Sequence, residues 1–178
     1  MEYMIHLSEP HSTSKGVFRK KGAPIVWAVD IGSVKQKHFA WCRIPQDGRD
    51  LNIKDGDHIL DLAEGLADDL SSGYKVTIGF ECPLFIPVPQ DPLLLTNARA
   101  GEFAHPWSAG AGCAALATGL PECAWIFDKV HDLVQIDVRA SVIWEDFFDG
   151  EANLFVWEAL VTGSAKGPSH KEDAKSLP

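Results

Sequence analysis

The chain divides into stretches in which apolar and polar positions recur with either strand or helix spacing. Residues 25–33 form an apolar run that is interrupted at Asp30 and ends at Gly32 and Ser33, a pattern typical of a buried strand followed by a turn. Residues 38–44 form a second apolar stretch after a short polar turn. The two stretches therefore predict an antiparallel hairpin.

A helix is predicted over residues 57–70, because leucine, isoleucine and alanine recur there at helical spacing. A short third strand is predicted just before it, over residues 51–54. We interpret the acids of this helix as solvent-exposed, because they fall on the face opposite to the apolar positions: Asp61, Glu64, Asp68 and Asp69. The small residues at 71–73 are typical of a helix end.

Further strands and helices are predicted along the rest of the chain. A strand over residues 74–81 ends at Glu81, because the Cys82-Pro83 pair that follows does not suit a central strand. Two more strands are predicted over 134–138 and 152–161. Helices are predicted over 93–103, 108–115, 121–131 and 140–148, with Pro121 in the first turn of the third. A last helix is predicted to begin at the capping box formed by Ser169 and Glu172. This order predicts an α/β fold with helices packed on a sheet.

Composition indicates a single domain over residues 23–178, preceded by a mobile leader over residues 1–22. The leader contains the basic cluster Arg19-Lys20-Lys21, so an alternative interpretation is an arm that contacts phosphate. The net charge of −9 argues against a broadly basic surface for nucleic acid or anionic lipid, but allows a local groove or an acidic metal site. The four cysteines form no CxxC pair, which favours reduced thiols in a cytoplasmic protein. No apolar run is long enough to span a membrane.

Three predicted strands each carry an isolated acid, namely Asp30, Glu81 and Glu158, and a fourth acid, Asp173, opens the last predicted helix. Parallel neighbours would bring Asp30 and Glu81 to the same carboxyl edge of the sheet, where open α/β folds bind ligands. Each acid taken singly is also compatible with an ordinary ion pair. Taken together, they predict a carboxylate cluster.

Clustered carboxylates repel one another unless a cation binds between them, and oxygen ligands suit Mg²⁺ or Mn²⁺. Two such ions support phosphodiester cleavage. We expect His170 to assist proton transfer, and three cationic side chains to contact phosphate: Lys35, Arg99 and Lys166. The acids at 145, 146 and 149 are interpreted as surface charge.

The segments Ala28-Val29-Asp30-Ile31-Gly32-Ser33, Gly79-Phe80-Glu81-Cys82-Pro83-Leu84 and His170-Lys171-Glu172-Asp173-Ala174, in this order, resemble the RNase-H-like superfamily and its Holliday-junction-resolvase-like branch. Within it, the chain is most similar to bacterial families of predicted RNase-H-like nucleases. The resemblance implies a mixed sheet with an antiparallel hairpin and parallel strands. It also implies metal-dependent cleavage of DNA or RNA, with Asp30, Glu81 and Asp173 as metal ligands and with Arg99 and Glu158 as further site residues.

Two alternatives remain open. The turn Asp30-Ile31-Gly32-Ser33 also resembles the phosphate-binding turn of the actin, sugar-kinase and heat-shock ATPase group, although this chain is too short for two lobes. The other alternative is a non-catalytic RNase-H-like scaffold, with the six tryptophans and the proline-rich loop at 83–92 as a protein-contact surface. Manganese bound between the acids would indicate a nuclease, a need for ATP would indicate a kinase-like site, and a scaffold would bind neither.

Overall fold

The structure, a computed structural model, describes residues 22–45, 53–85, 88–95, 97 and 113–160. Six strands and three α-helices lie in these ranges. They are β1 (Ile25–Asp30), β2 (Ala40–Ile44), β3 (Lys54–Gly56), α1 (Ile59–Ser71), β4 (Val76–Phe80), α2 (Cys113–Leu133), β5 (Ala140–Ser141), α3 (Trp144–Asp149) and β6 (Leu154–Glu158). Short 3-10 turns cover Val34–Gln36 and Pro92–Leu94.

The strands form one mixed sheet in the order β3-β2-β1-β4-β6-β5. The pairs β1–β2 and β2–β3 are antiparallel, whereas β1–β4, β4–β6 and β5–β6 are parallel. This arrangement confirms the predicted fold class, an antiparallel hairpin joined to parallel strands. It also brings β1 and β4 side by side, so that their carboxyl ends share one edge of the sheet.

The core lies between the sheet and the pair α1–α2. Alternate residues of β1 and β4, together with the apolar face of α1, are buried there: Ile25, Trp27, Val29, Val76, Ile78, Phe80, Leu62, Leu66 and Leu70. Trp27 approaches α1 so closely that a Cβ at Gly65 would lie 2.7 Å from its ring. Burying a large apolar side chain contributes roughly 1.5–3 kcal/mol, so this layer supplies much of the stability of the domain.

The interpretation of Asp69 as a solvated surface acid is wrong. Asp69 is only 7% exposed, and its carboxylate accepts hydrogen bonds from Trp27 Nε1 (3.0 Å), Arg43 Nε (2.8 Å) and Arg43 Nη2 (2.7 Å). Its neighbour Asp68 is exposed, and helical spacing alone does not distinguish the two acids. The guanidinium on β2 draws Asp69 into the protein interior.

The second half of the chain departs from the predicted boundaries. Residues 113–115 and 121–131, predicted in two separate helices, lie in a single helix, α2, and Pro121 lies inside it rather than in its first turn. The rest of the predicted helix over 108–115 falls outside the described residues. Residues 134–138 form no strand; the strand lies later, in β5. The helix predicted over 140–148 shortens to α3, because Ala140 and Ser141 pair with β6. The third strand likewise begins at Lys54, later than predicted.

Some predictions fall on residues outside the described ranges. These include the leader, most of the helix at 93–103 and the capping box at 169–172. Within the described part of the chain, Cys42, Cys82 and Cys123 are buried and have free thiols, as expected of reduced core cysteines. No helix in this part combines the length and apolar character needed to cross a bilayer.

Candidate functional site

Two acids lie next to each other at the carboxyl edge of the sheet. Val29 of β1 pairs with Phe80 of β4, and the N–H of Glu81 donates a 2.8 Å hydrogen bond to the carbonyl of Val29. Asp30 is the last residue of β1 and Glu81 directly follows β4, and they are only 4% and 5% exposed. The parallel register therefore places Asp30 and Glu81 at the same carboxyl edge of the sheet, the position that the sequence predicted for them.

Both acids lie on the face of the sheet opposite to α1 and α2. Val29 packs in the core between the sheet and the helices, so the alternation of a strand directs Asp30 to the other face. Phe80 and Cys82 both pack in that core, which directs Glu81, the residue between them, to the same face as Asp30. The arrangement that would have excluded a shared site, with the acids on opposite faces, is not present.

A third acid, Glu122 of α2, approaches this edge and was not identified from the sequence. The N–H of Gly32 donates a hydrogen bond to its carboxylate. Burial raises the pKa of Glu122 to about 7; the Gly32 hydrogen bond opposes this rise, and the negative charge of Asp30 adds to it. The Oε2 atom of Glu122 is buried and has no hydrogen-bond partner among the described residues.

The sequence did contain a signal for Glu122. It lies three residues after Gly119 and four before Ile126, and those residues are on the buried face of α2. An acid at helical spacing within an apolar face needs a partner in the fold, just as an acid within an apolar strand does.

Glu122 makes the stability of the protein dependent on pH. Its pKa is higher in the folded protein than the ordinary value of 4.5, so the folded state holds the proton more tightly. The stabilisation is complete below pH 4.5 and is lost as pH rises towards 7. In EDTA, we expect the free energy of unfolding of the parent protein to fall by about 1 kcal/mol between pH 4.5 and 7, relative to that of the Glu122→Gln variant. This value is smaller than the full pKa shift would give, because the side chain is only half-buried.

Urea unfolding of both proteins between pH 4.5 and 8 measures this difference. Glu64→Gln, which neutralises a glutamate of α1 that faces solvent, is the matched control and should follow the parent protein. A difference between the parent and the Glu122→Gln variant that stays constant across the range would contradict the assignment.

Glu158 lies on β6, the strand next to β4, but makes a different contact. It pairs in register with Phe80 and lies two residues after the core residue Val156. Residues two apart on a strand share a face, so Glu158 is directed to the helix face rather than to the face of Asp30 and Glu81. Its Oε1 accepts a 2.7 Å hydrogen bond from the N–H of Leu84. Glu158 thus holds the chain segment that leaves β4, and its catalytic role stays a prediction.

The turn after β1 is shaped by close backbone packing. A Cβ on Gly32 would lie 2.4 Å from the carbonyl oxygen of His38, so glycine is required where the two arms of the hairpin meet. Lys37 adopts a left-handed conformation (φ 61°) at the end of the 3-10 turn. Lys35, the predicted phosphate contact, is exposed on this turn.

The donor set for a metal ion is incomplete within the described residues. Asp30 and Glu81 provide buried carboxylate oxygens of the kind that Mg²⁺ and Mn²⁺ prefer. However, no group of three or more His, Cys, Asp or Glu side chains in the described ranges is placed to hold a metal ion. The other predicted site residues lie outside those ranges: Asp173, His170, Arg99 and Lys166. The described ranges thus offer two carboxyl groups at this edge, whose oxygens are of the type that Mg²⁺ and Mn²⁺ prefer.

Comparisons of this chain with protein-family models, with curated proteins and with solved structures found no match.

Proposed function

We propose that the protein is a divalent-metal-dependent nuclease that hydrolyses phosphodiester bonds of nucleic acid, with a fold similar to that of the RNase-H-like superfamily. The observation that carries the proposal is the pair Asp30 and Glu81, two nearly buried carboxyl groups from adjacent parallel strands. Nearly buried carboxylates are costly as charges unless hydrogen-bond donors or a cation stabilise them, and two at one sheet edge make a cation more favourable. A divalent ion is the cation that two carboxylates suit best.

In this proposal, Asp30 and Glu81 hold Mg²⁺ or Mn²⁺, and Asp173 supplies a further ligand. When bound, the metal would polarise the phosphate and favour a hydroxide nucleophile. Glu122 lies near Asp30, and its raised pKa allows it to be neutral below pH 7; Glu158 keeps the segment after β4 in position through Leu84. Lys35, Arg99 and Lys166 contact the phosphates of the substrate, and His170 assists proton transfer.

The main alternative, a phosphate-binding turn similar to that of sugar kinases, is disfavoured by the surroundings of Gly32. A phosphate cradle needs free backbone N–H groups, whereas the N–H of Gly32 donates to the carboxylate of Glu122. The close approach of His38 also accounts for glycine at this position without a ligand. A non-catalytic scaffold remains the second candidate, and the exposed aromatic side chains of α3 favour it.

The test is a cleavage screen of the full chain with single-stranded, duplex and branched DNA and RNA, in Mg²⁺, Mn²⁺ or EDTA. We expect cleavage that needs the metal and stops in EDTA. Metal binding is measured separately by thermal unfolding, because an ion present at 100 times its dissociation constant stabilises the folded state by about 2.7 kcal/mol. Unfolding curves that Mn²⁺ does not move, together with intact substrates, would reject the nuclease, and cleavage or turnover only with ATP would favour the kinase-like site.

A further inference from the structure

The helix α3 exposes an unusual set of apolar side chains to solvent. Phe148 is 63% exposed and Trp144 is 44% exposed, and the two residues before the helix, Val142 and Ile143, are exposed as well. Trp144 and Phe148 lie four residues apart on the same face, with ring centroids 4.6 Å apart. We call these four residues the α3 patch. Contiguous exposed apolar surface of this kind marks interaction sites.

The α3 patch is held rigidly by an aromatic cluster beneath it. Trp144 packs edge-to-face on Phe155 of β6 at 4.8 Å and stacks on the buried Phe147 at 5.8 Å. Phe147 and Phe155 are also in contact, at 5.8 Å. Because the exposed rings share contacts with buried ones, their positions are set by the fold before any partner binds, which lowers the entropic cost of binding.

The end of α3 is anchored as well. The ammonium group of Lys75 donates hydrogen bonds to the carbonyl groups of Phe147 and Phe148, and lies 4.9 Å from the centre of the Phe147 ring. Gly150 ends the helix in a left-handed conformation (φ 85°) that suits glycine. A helix of only six residues is thereby fixed to the start of β4.

Acidic side chains surround the α3 patch. Glu145 and Asp149 are exposed and one helical turn apart, and Glu151 is exposed just after the helix. The ammonium group of Lys75 is hydrogen-bonded to the carbonyl groups at the end of the helix, and Arg139 Nε forms an ion pair with Asp137 Oδ2 at 3.0 Å. Among the described residues, the side chains next to the exposed rings therefore carry a net negative charge, in a chain whose net charge is −9.

The α3 patch lies at the opposite end of the sheet from the carboxylate pair. Helix α3 precedes β6, and Lys75 precedes β4, so both lie where these parallel strands begin. Asp30 and Glu81 lie where β1 and β4 end. The patch is thus a second surface, separate from the proposed nuclease site.

We propose that the α3 patch is a docking surface for a basic, amphipathic segment of a partner protein. Large apolar side chains of that segment pack on Trp144 and Phe148, while its lysine or arginine residues face Glu145 and Asp149. A second copy of this chain is a poor occupant, because copy against copy would bring like charges together. Nucleic acid and anionic lipid are repelled by the same acids.

The test uses a fluorescein-labelled peptide of about 16 residues with leucine on one helical face and lysine on the other, titrated with the full-length protein and followed by anisotropy. Ile143→Ser with Phe148→Ser should weaken binding by about tenfold, since loss of an anchor costs more than about 1 kcal/mol. Glu145→Lys with Asp149→Lys leaves the aromatic cluster intact and should weaken binding by about as much at low salt, with less effect at high salt.

Matched control variants separate this surface from general acidity. Leu133→Ser removes another exposed apolar residue, on α2, and Glu64→Lys with Asp68→Lys reverses two acids one turn apart on α1. These controls should bind the peptide as the parent does. The proposal fails if the control variants weaken binding as much as the α3 variants do, or if a matched leucine–glutamate peptide or anionic vesicles bind as tightly as the leucine–lysine peptide. It also fails if sedimentation shows a dimer of the parent protein that the Ile143/Phe148 variant abolishes.

Discussion

Replacing Asp69 with alanine lowers the free energy of unfolding by about 3–5 kcal/mol, the range expected when one partner of a buried ion pair is removed. The substitution leaves the partly buried guanidinium of Arg43 without its anion. It also removes the acceptor of the Trp27 indole N–H. Since domains of this size have a net stability of about 5–15 kcal/mol, this single change removes a large fraction of it.

The effect is large because Asp69 joins three elements. It lies on α1, Arg43 lies on β2 and Trp27 lies on β1, so one carboxylate fixes the helix to both strands of the hairpin. Hydrogen bonding to Asp69 raises the pKa of Arg43, while burial of the guanidinium opposes this. The hydrogen bonds to Asp69 therefore outweigh the cost of partly burying the guanidinium.

Urea unfolding followed by circular dichroism measures the loss, with Asp68→Ala as the control. Asp68 is the preceding residue of the same helix but is exposed, so its replacement should change stability by no more than about 0.5 kcal/mol. Arg43→Met combined with Asp69→Leu should recover part of the stability, because it leaves no unpaired charge, although the indole N–H of Trp27 still lacks its acceptor. A loss below about 1 kcal/mol for Asp69→Ala would show that water reaches the pair.

The fold was predictable where periodicity and burial agree. Strands β1, β4 and β6 are short apolar runs, and α1 has an uninterrupted helical stripe from Leu62 to Leu70. The positions of Asp30 and Glu81 at the ends of their strands followed from the same runs, and their proximity followed from parallel pairing.

The remaining features depend on partners far away in the chain. Asp69 looks like its exposed neighbour Asp68 until Arg43, 26 residues earlier, is brought opposite it. Proline favours a helix start, yet helix α2 continues through Pro121, which is exposed. The tertiary packing of the other residues of α2 outweighs the hydrogen bond lost at the proline. Glu122 became recognisable as part of the candidate site only when the end of β1 was placed against α2.

Replacing Asp30 with asparagine is expected to reduce metal-dependent cleavage by about a thousandfold, since a bound metal supplies several kcal/mol of transition-state stabilisation and each step of about 1.36 kcal/mol is a factor of ten. An amide keeps the size of the carboxyl group but loses its charge, so the affinity for Mn²⁺ should fall as well. Cleavage rates and the shift of the unfolding temperature by Mn²⁺ are measured on the same preparations.

The stability of the Asp30→Asn protein in EDTA separates a ligand from a structural residue. The negative charge of Asp30 disfavours the charged form of Glu122, so removing it relieves repulsion, and the variant should unfold at the same temperature as the parent or at a higher one. Glu81→Gln should behave alike, and Asp61→Asn, an exposed acid of α1, should retain full activity. If the Asp30→Asn protein cleaves as fast as the parent, Asp30 does not hold the metal. If it loses activity only in proportion to lost folded protein, the carboxylate pair has a structural role instead.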